Sequence, residues 1–209
     1  MTMVKLMVAD QHPIVTKGLE LVFASSRDIK FVEAVPDGEA IFGALKQYTT
    51  DILLCEIDLP KLNGISVLRR IKKEHPEVKV IIYSAQQEEV YAVSAIKAGA
   101  DGYVQKSTDL LTLKDAIMKV HLGGVYISPS LSRKIALDKN SGKSNYYKKL
   151  STREVEVLKL LSNGRRNKEI AEELQINEKT VSTYRARLMK KLNVTNLIDL
   201  VNQAKSLDL

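Results

Sequence analysis

Four residues stand where apolar runs of this 209-residue chain end: Asp10, Glu56, Ser84 and Lys106. Two carboxylates, a hydroxyl and an ammonium converging on one edge would suit a divalent cation and a phosphoryl group, since hard cations take oxygen ligands and phosphoryl oxygens take charge-assisted hydrogen bonds. Singly, each has a plainer role, Asp10 as a helix cap and Lys106 as a solvated charge. It is their joint placement that carries weight. A second group, Lys179, Thr180, Ser182, Thr183, Arg187 and Lys190, mixes hydroxyls with cations, the kinds of side chain that meet base edges and phosphates. Cys55 is the one cysteine, which excludes a disulfide framework. It lies in an apolar run and reads as a small core residue rather than a nucleophile.

The elements that position the first group alternate. Strand-like runs recur at Val4–Val8, Phe31–Val35, Ile52–Ile57, Val80–Tyr83 and Gly102–Val104. Helical patterns fall between them, at His12–Ser25, Glu39–Tyr48, Ile65–Glu74, Glu88–Ala98 and Leu110–Leu122. This β/α alternation predicts a parallel sheet covered by helices on both faces, with the chemistry beyond the carboxyl ends of the strands. Residues 126–148, with Pro129 and Ser141-Gly142 among scattered lysines, read as a linker between domains at 1–125 and 149–209.

The second group belongs to a run of short helices. Ser151 and Glu154 form a Ser-x-x-Glu capping box opening a helix through Leu161, which ends at Asn163-Gly164. Asn167 is expected to cap a short helix with Ile170, Ala171 and Leu174 inward, and Asn177 to cap the next. On that third helix Val181, Tyr184, Leu188 and Leu192 form the inner stripe. Lys179, Ser182, Thr183, Ala186 and Lys190 form the outer face, flanked by Thr180 and Arg187. Such a face also suits a merely solvated helix, but a capped helix and a tight turn before it make the pair a helix-turn-helix. Charge distribution agrees. Residues 1–128 hold 15 Lys and Arg against 16 Asp and Glu, while the chain as a whole is +7, so the excess lies wholly in the linker and the C-terminal domain. No run approaches the roughly 18 apolar residues of a membrane span, and a reducing cytoplasm fits the cysteine usage.

Two resemblances sharpen these readings. Leu150-Ser-Thr-Arg-Glu-Val-Glu-Val-Leu-Lys-Leu-Leu-Ser-Asn-Gly, Asn167-Lys-Glu-Ile-Ala and Lys179-Thr-Val-Ser-Thr-Tyr-Arg resemble the LuxR-type helix-turn-helix of NarL/FixJ response regulators, above all its BvgA- and EvgA-like members. The likeness implies a four-helix domain that binds double-stranded DNA through Asn167, Lys168 and the outer face of the third helix. It also implies a last helix, Asn196 to Ala204, that often serves as a dimer contact. Val8-Ala-Asp-Gln-His-Pro, Asp51-Ile-Leu-Leu-Cys-Glu-Ile-Asp-Leu-Pro-Lys-Leu-Asn-Gly, Tyr83-Ser-Ala and Ala98-Gly-Ala-Asp-Gly-Tyr-Val-Gln-Lys resemble a receiver domain. That likeness implies a flavodoxin-like α/β fold with strand order 2-1-3-4-5. It assigns Ser84 as the switch hydroxyl, Tyr103 as the switch aromatic and Lys106 as the phosphoryl contact. Asp10 and the main-chain carbonyl of Asp58 become ligands of a Mg2+ ion, and the first and last receiver helices become candidate dimer contacts.

Two departures stand out. Glu56 occupies the place of the phosphoacceptor aspartate, and Gln11 that of the second acidic residue. Glu56 carries its carboxylate one bond, about 1.5 Å, further out, off the in-line geometry of phosphoryl transfer. Gln11 offers a hard cation a neutral ligand in place of a charged one, which weakens the Mg2+ site. The expectation is a DNA-binding regulator, homodimeric, whose receiver is biased toward its active state without phosphate. A competing expectation is an interaction module whose degenerate receiver pairs with another regulator or a sensor kinase. An enzyme ranks last, because phosphohydrolases on such sheets generally use a second aspartate two residues after the first, where this chain has His12.

Overall fold

The computed structural model describes residues 3–133, 150–174 and 176–205. Its chain divides into two compact units, residues 1–140 and 141–209.

In the first unit five strands form one parallel sheet in the order β2-β1-β3-β4-β5: β1 Val4–Ala9, β2 Ile29–Val35, β3 Ile52–Cys55, β4 Lys79–Ser84 and β5 Gly102–Gln105. The central strands read as unbroken apolar runs because both of their faces are covered. Leu53, Leu54, Ile81 and Ile82 are fully buried, and so is Cys55, whose thiol is pushed far above its ordinary value first by burial and then by the nearby Glu56 and Asp10 carboxylates. Helices α1 (Pro13–Ala24) and α5 (Leu110–His121) close one core with Leu19, Phe23, Leu113 and Ile117. Helices α2 (Ala40–Gln47), α3 (Gly64–Glu74) and α4 (Glu88–Lys97) supply Ile41, Ile65, Leu68, Ile71 and Ala92, also buried. Strand order reverses between β1 and β3, so their carboxyl ends open the crevice in which a doubly wound sheet holds its ligands.

Two details fix the end of β3. Asn63 caps α3 by accepting from the Ser66 N–H at 3.0 Å. Gly64 then lies so close to the strand that a Cβ there would stand 2.0 Å from the Glu56 carbonyl oxygen. Only glycine fits that approach, which is why Asn-Gly follows the Asp51–Asp58 run.

The segment after α5 does not leave the sheet at residue 126 as the sequence suggested. Tyr126 pairs with β5, its carbonyl accepting from Tyr103 N–H at 2.9 Å and its N–H donating to Asp101 at 3.0 Å. Glu88, itself buried, accepts from Ser128 N–H at 2.8 Å, and Leu131 is 3 % exposed. Burying that leucine and satisfying two main-chain donors outweighs the freedom of a linker over these residues. The expected linker residues 134–148 lie outside the described residues.

Among the described residues the second unit has four helices: α6 Thr152–Ser162, α7 Asn167–Glu173, α8 Glu178–Leu192 and α9 Leu197–Lys205. The capping box at Ser151 and Glu154 forms as expected. Glu154 does more than cap, since its carboxylate also meets Lys191 of α8 at 2.7 Å. Burial opposes its charge, but Lys191 and Ser151 outweigh burial and hold the acid below its ordinary value. Asn193 closes α8 in the left-handed conformation, with φ 55°. Among the described residues no helix is long and apolar enough to cross a membrane.

Candidate regulatory pocket and nucleic-acid interface

All four pocket residues expected from the strand ends meet. Lys106 Nζ sits 2.5 Å from Asp10 Oδ2 and 2.6 Å from Glu56 Oε2, with both carboxylates almost fully buried. Burial works against the ammonium, but its two ion pairs outweigh that penalty and hold it above its usual value. The other oxygen of Glu56 accepts from Ile57 N–H at 2.6 Å, and the Ser84 hydroxyl donates a short hydrogen bond to it. The extra methylene therefore carries the carboxylate onto the lysine and the serine, the two groups assigned to a phosphoryl group by resemblance.

The groups around the expected cation position are engaged with one another. Gln11 turns its amide nitrogen, not its oxygen, into the pocket and donates to the Asp58 carbonyl at 3.0 Å. That carbonyl was the expected main-chain metal ligand. Asp10 Oδ1 accepts from the His12 N–H and lies 2.8 Å from His12 Nδ1, while its second oxygen faces Lys106. The Asp58 carbonyl and Asp10 Oδ1 are thus bonded to donors, and a lysine ammonium lies between the carboxylates. Among the described residues there is no group of three acidic, histidine or cysteine side chains arranged to hold a metal.

Ser84 and Tyr103, the residues that the resemblance assigns to a switch, are linked by one residue that the sequence did not single out. Gln86 donates its amide to Asp58 Oδ2 at 2.6 Å and its main-chain N–H to Ser84 Oγ at 3.3 Å. Its carbonyl accepts from the Tyr103 hydroxyl at 2.9 Å. Tyr103 is fully buried, and its phenol is held well above the ordinary range, first by burial and then by Tyr91 and the nearby carboxylates. Nothing in the composition of the 84–88 loop distinguishes Gln86 from Gln87, so only coordinates could have found it.

In the second unit Val181, Leu188 and Leu192 are buried and Tyr184 half-buried, so the stripe read from periodicity packs inward. Lys179, Ser182, Thr183, Ala186, Arg187 and Lys190 are exposed, Thr180 half-buried. Lys168 is exposed on α7. One cap differs from expectation. Arg166, not Asn167, precedes α7, because Glu169 takes the Arg166 N–H at 2.7 Å. Asn167 is thereby released to the first helical position, where its amide donates to Ser182 Oγ at 3.1 Å. On α9, Leu200 and Ala204 are fully buried within the domain, leaving Leu197 and Ile198 exposed.

Comparison with known proteins agrees with both halves. Residues 6–118 match the response regulator receiver domain, and residues 148–204 match the luxR family of bacterial regulatory proteins. Fimbriae Z protein of Salmonella typhimurium is 34% identical over 97% of this chain and 96% of its own length. Transcriptional regulatory protein DegU of Brevibacillus brevis is 30% identical over 92% and 89%. RcsB of Salmonella enterica serovar Typhimurium, solved bound to a promoter in the presence of phosphomimetic BeF3-, superposes with a TM-score of 0.79 at 25% identity, covering 98% of this chain and all of that one. The chain is a member of the NarL/FixJ-type response regulators, with an N-terminal receiver domain and a C-terminal luxR-type helix-turn-helix domain.

Proposed function

We propose that this protein is a cytoplasmic transcription regulator that binds double-stranded DNA as a homodimer, and that its receiver holds the active arrangement without phosphate. The observation that carries the second half is the pairing of Gln11 Nε2 with the Asp58 carbonyl beside a lysine seated between Asp10 and Glu56. A phosphoryl group needs its cation and an in-line nucleophile. Here the cation's ligands face donors, and Glu56 spends its oxygens on Lys106, Ser84 and the Ile57 amide. The same carboxylate supplies Ser84 and Lys106 with a permanent negative charge where a phosphoryl oxygen would otherwise stand. That charge draws Ser84 toward the pocket, and the Gln86 and Tyr103 bonds follow.

DNA binding is supported by the exposed hydroxyl and cationic face of α8 and by the relatives solved on promoters. For the homodimer, α1, α5 and the residue that closes α5 leave Ile14, Leu21, Leu111 and Leu122 more than 70% exposed, an apolar allotment larger than a monomer needs. RcsB has been solved as two dimers bound to two parallel DNAs.

Labelling with radioactive acetyl phosphate and Mg2+ tests the receiver reading. The chain as it stands is expected to take negligible label. Glu56→Asp alone recovers little, because the metal ligand is still missing, and Glu56→Asp with Gln11→Asp recovers more. Stoichiometric labelling of the unaltered chain would refute the reading.

A further inference from the structure

Helix α8 offers three aliphatic hydroxyls toward solvent, and their protons are not equally available. Thr180 Oγ1 donates to Asn177 Oδ1 at 2.8 Å, within the cap of the helix. Thr183 Oγ1 donates to the Lys179 carbonyl at 2.9 Å. A carbonyl can only accept, so that proton is committed, and Thr183 faces outward with an oxygen that accepts and a methyl group. Ser182 is different. Its oxygen accepts from Asn167 Nδ2 at 3.1 Å, and a hydroxyl that accepts in this way keeps its own proton to give.

Asn167 is held in place for the purpose. It opens α7, whose N-terminus is fixed by the Arg166–Glu169 bond and whose inner residues Ile170 and Ala171 are buried. The amide therefore reaches α8 from a rigid neighbouring helix rather than from a loop. Both partners are accessible from the same side, Ser182 exposed and Asn167 half-buried.

We propose that Asn167 is a positioning residue for Ser182, occupying the acceptor side of its hydroxyl so that the proton is left for a hydrogen-bond acceptor on DNA. This rests on the DNA-binding reading above and deepens it. Ser182 becomes the hydroxyl donor of the helix face, suited to a guanine N7 or O6, a thymine O4 or a phosphate oxygen. Thr183 becomes its complement, suited to the amino group of adenine or cytosine or to a thymine methyl. Two adjacent hydroxyls thus present opposite polarity, which their residue types alone do not reveal.

Selection of sites from a randomised duplex pool by the full-length protein tests this, with Ser182→Ala, Asn167→Ala and Asn167→Asp alongside. Thermal unfolding of each variant checks that the fold survives. An aspartate at 167 has no proton to give and takes the serine's proton instead. Ser182→Ala and Asn167→Asp are therefore expected to flatten preference at the same base pairs by about 3- to 10-fold, a neutral hydrogen bond's worth. Asn167→Ala falls between, and adding it to Ser182→Ala changes nothing further there. If base preference is unchanged, the acceptor is a phosphate: a methylphosphonate at one position then weakens the wild type and leaves Ser182→Ala unaffected. Asn167→Asp matching the wild type in both arms, or Ser182→Ala altering neither, overturns the proposal. A wild type that selects no sequence at all overturns the DNA reading instead, a distinguishable result.

Discussion

Lys106→Met removes the positive charge that pairs with both Asp10 and Glu56, and the consequence can be worked through. At an effective dielectric of about 20, unit charges about 4 Å apart attract by about 4 kcal/mol. Lys106 makes two such attractions, at 2.5 and 2.6 Å between nearest atoms, with its side chain 14% exposed. Dehydration of all three groups offsets much of this in the native protein. Removing the lysine leaves the dehydration of the carboxylates and adds their mutual repulsion. Breaking a buried pair in this way costs about 3–5 kcal/mol. For a domain of this size that lowers the midpoint by about 10–20 °C. The pH dependence also changes. In the native protein the raised Lys106 value means its contribution is fully present at neutral pH and is lost only as pH rises through that value. The variant has no such contribution to lose. Urea unfolding at pH 7, followed by circular dichroism, reads the change in stability. A loss under about 1 kcal/mol would refute the electrostatic account of the pocket.

Three further outcomes are expected. Arg187→Ala and Lys190→Ala should weaken binding to all sequences alike and reduce the slope of log K against log salt by about one unit per lost phosphate contact, measured by fluorescence anisotropy across a salt series. Glu154→Gln should destabilise the DNA-binding domain by about 1–3 kcal/mol through its cap and its Lys191 pair. Because Glu154 is held below its ordinary value, the native protein's advantage over that variant should be present at pH 7 and vanish as pH falls through the folded value, which melts at pH 7 and pH 3 would check. Leu21→Glu with Leu111→Glu should shift the protein from dimer to monomer in sedimentation while leaving its melting midpoint nearly unchanged, since both side chains are more than 70% exposed. A chain that is monomeric before substitution, and that captures another regulator through this face, would favour the interaction-module reading.

Much of this was legible in the residues. Strand ends located Asp10, Glu56, Ser84 and Lys106 because a parallel sheet brings the carboxyl ends of its strands to one edge. Periodicity separated Val181, Leu188 and Leu192 from the exposed face of α8 because one helical turn repeats every 3.6 residues. What escaped were choices between equally polar alternatives. Gln11 could present its oxygen as a ligand or its nitrogen as a donor, and the Asp58 carbonyl decides for the nitrogen. Asn167 looks like a cap by type, yet Glu169 caps the turn through Arg166 and leaves the asparagine to Ser182. Glu88 reads as an ordinary acid at a helix start, whereas its carboxylate holds the segment at Ser128. Each depends on a neighbour distant in sequence or on the direction of a single amide, and local propensity carries neither.

The most direct test of the central claim is the affinity of the full-length, donor-free protein for a selected DNA site, compared with the same protein after incubation with acetyl phosphate and Mg2+. With Lys106 and Ser84 already engaged by Glu56, the account predicts tight, site-specific binding in both cases and a ratio of affinities near one. Binding that is absent without the donor and appears only as phosphate is incorporated stoichiometrically would contradict it, and Glu56 would then be a working acceptor.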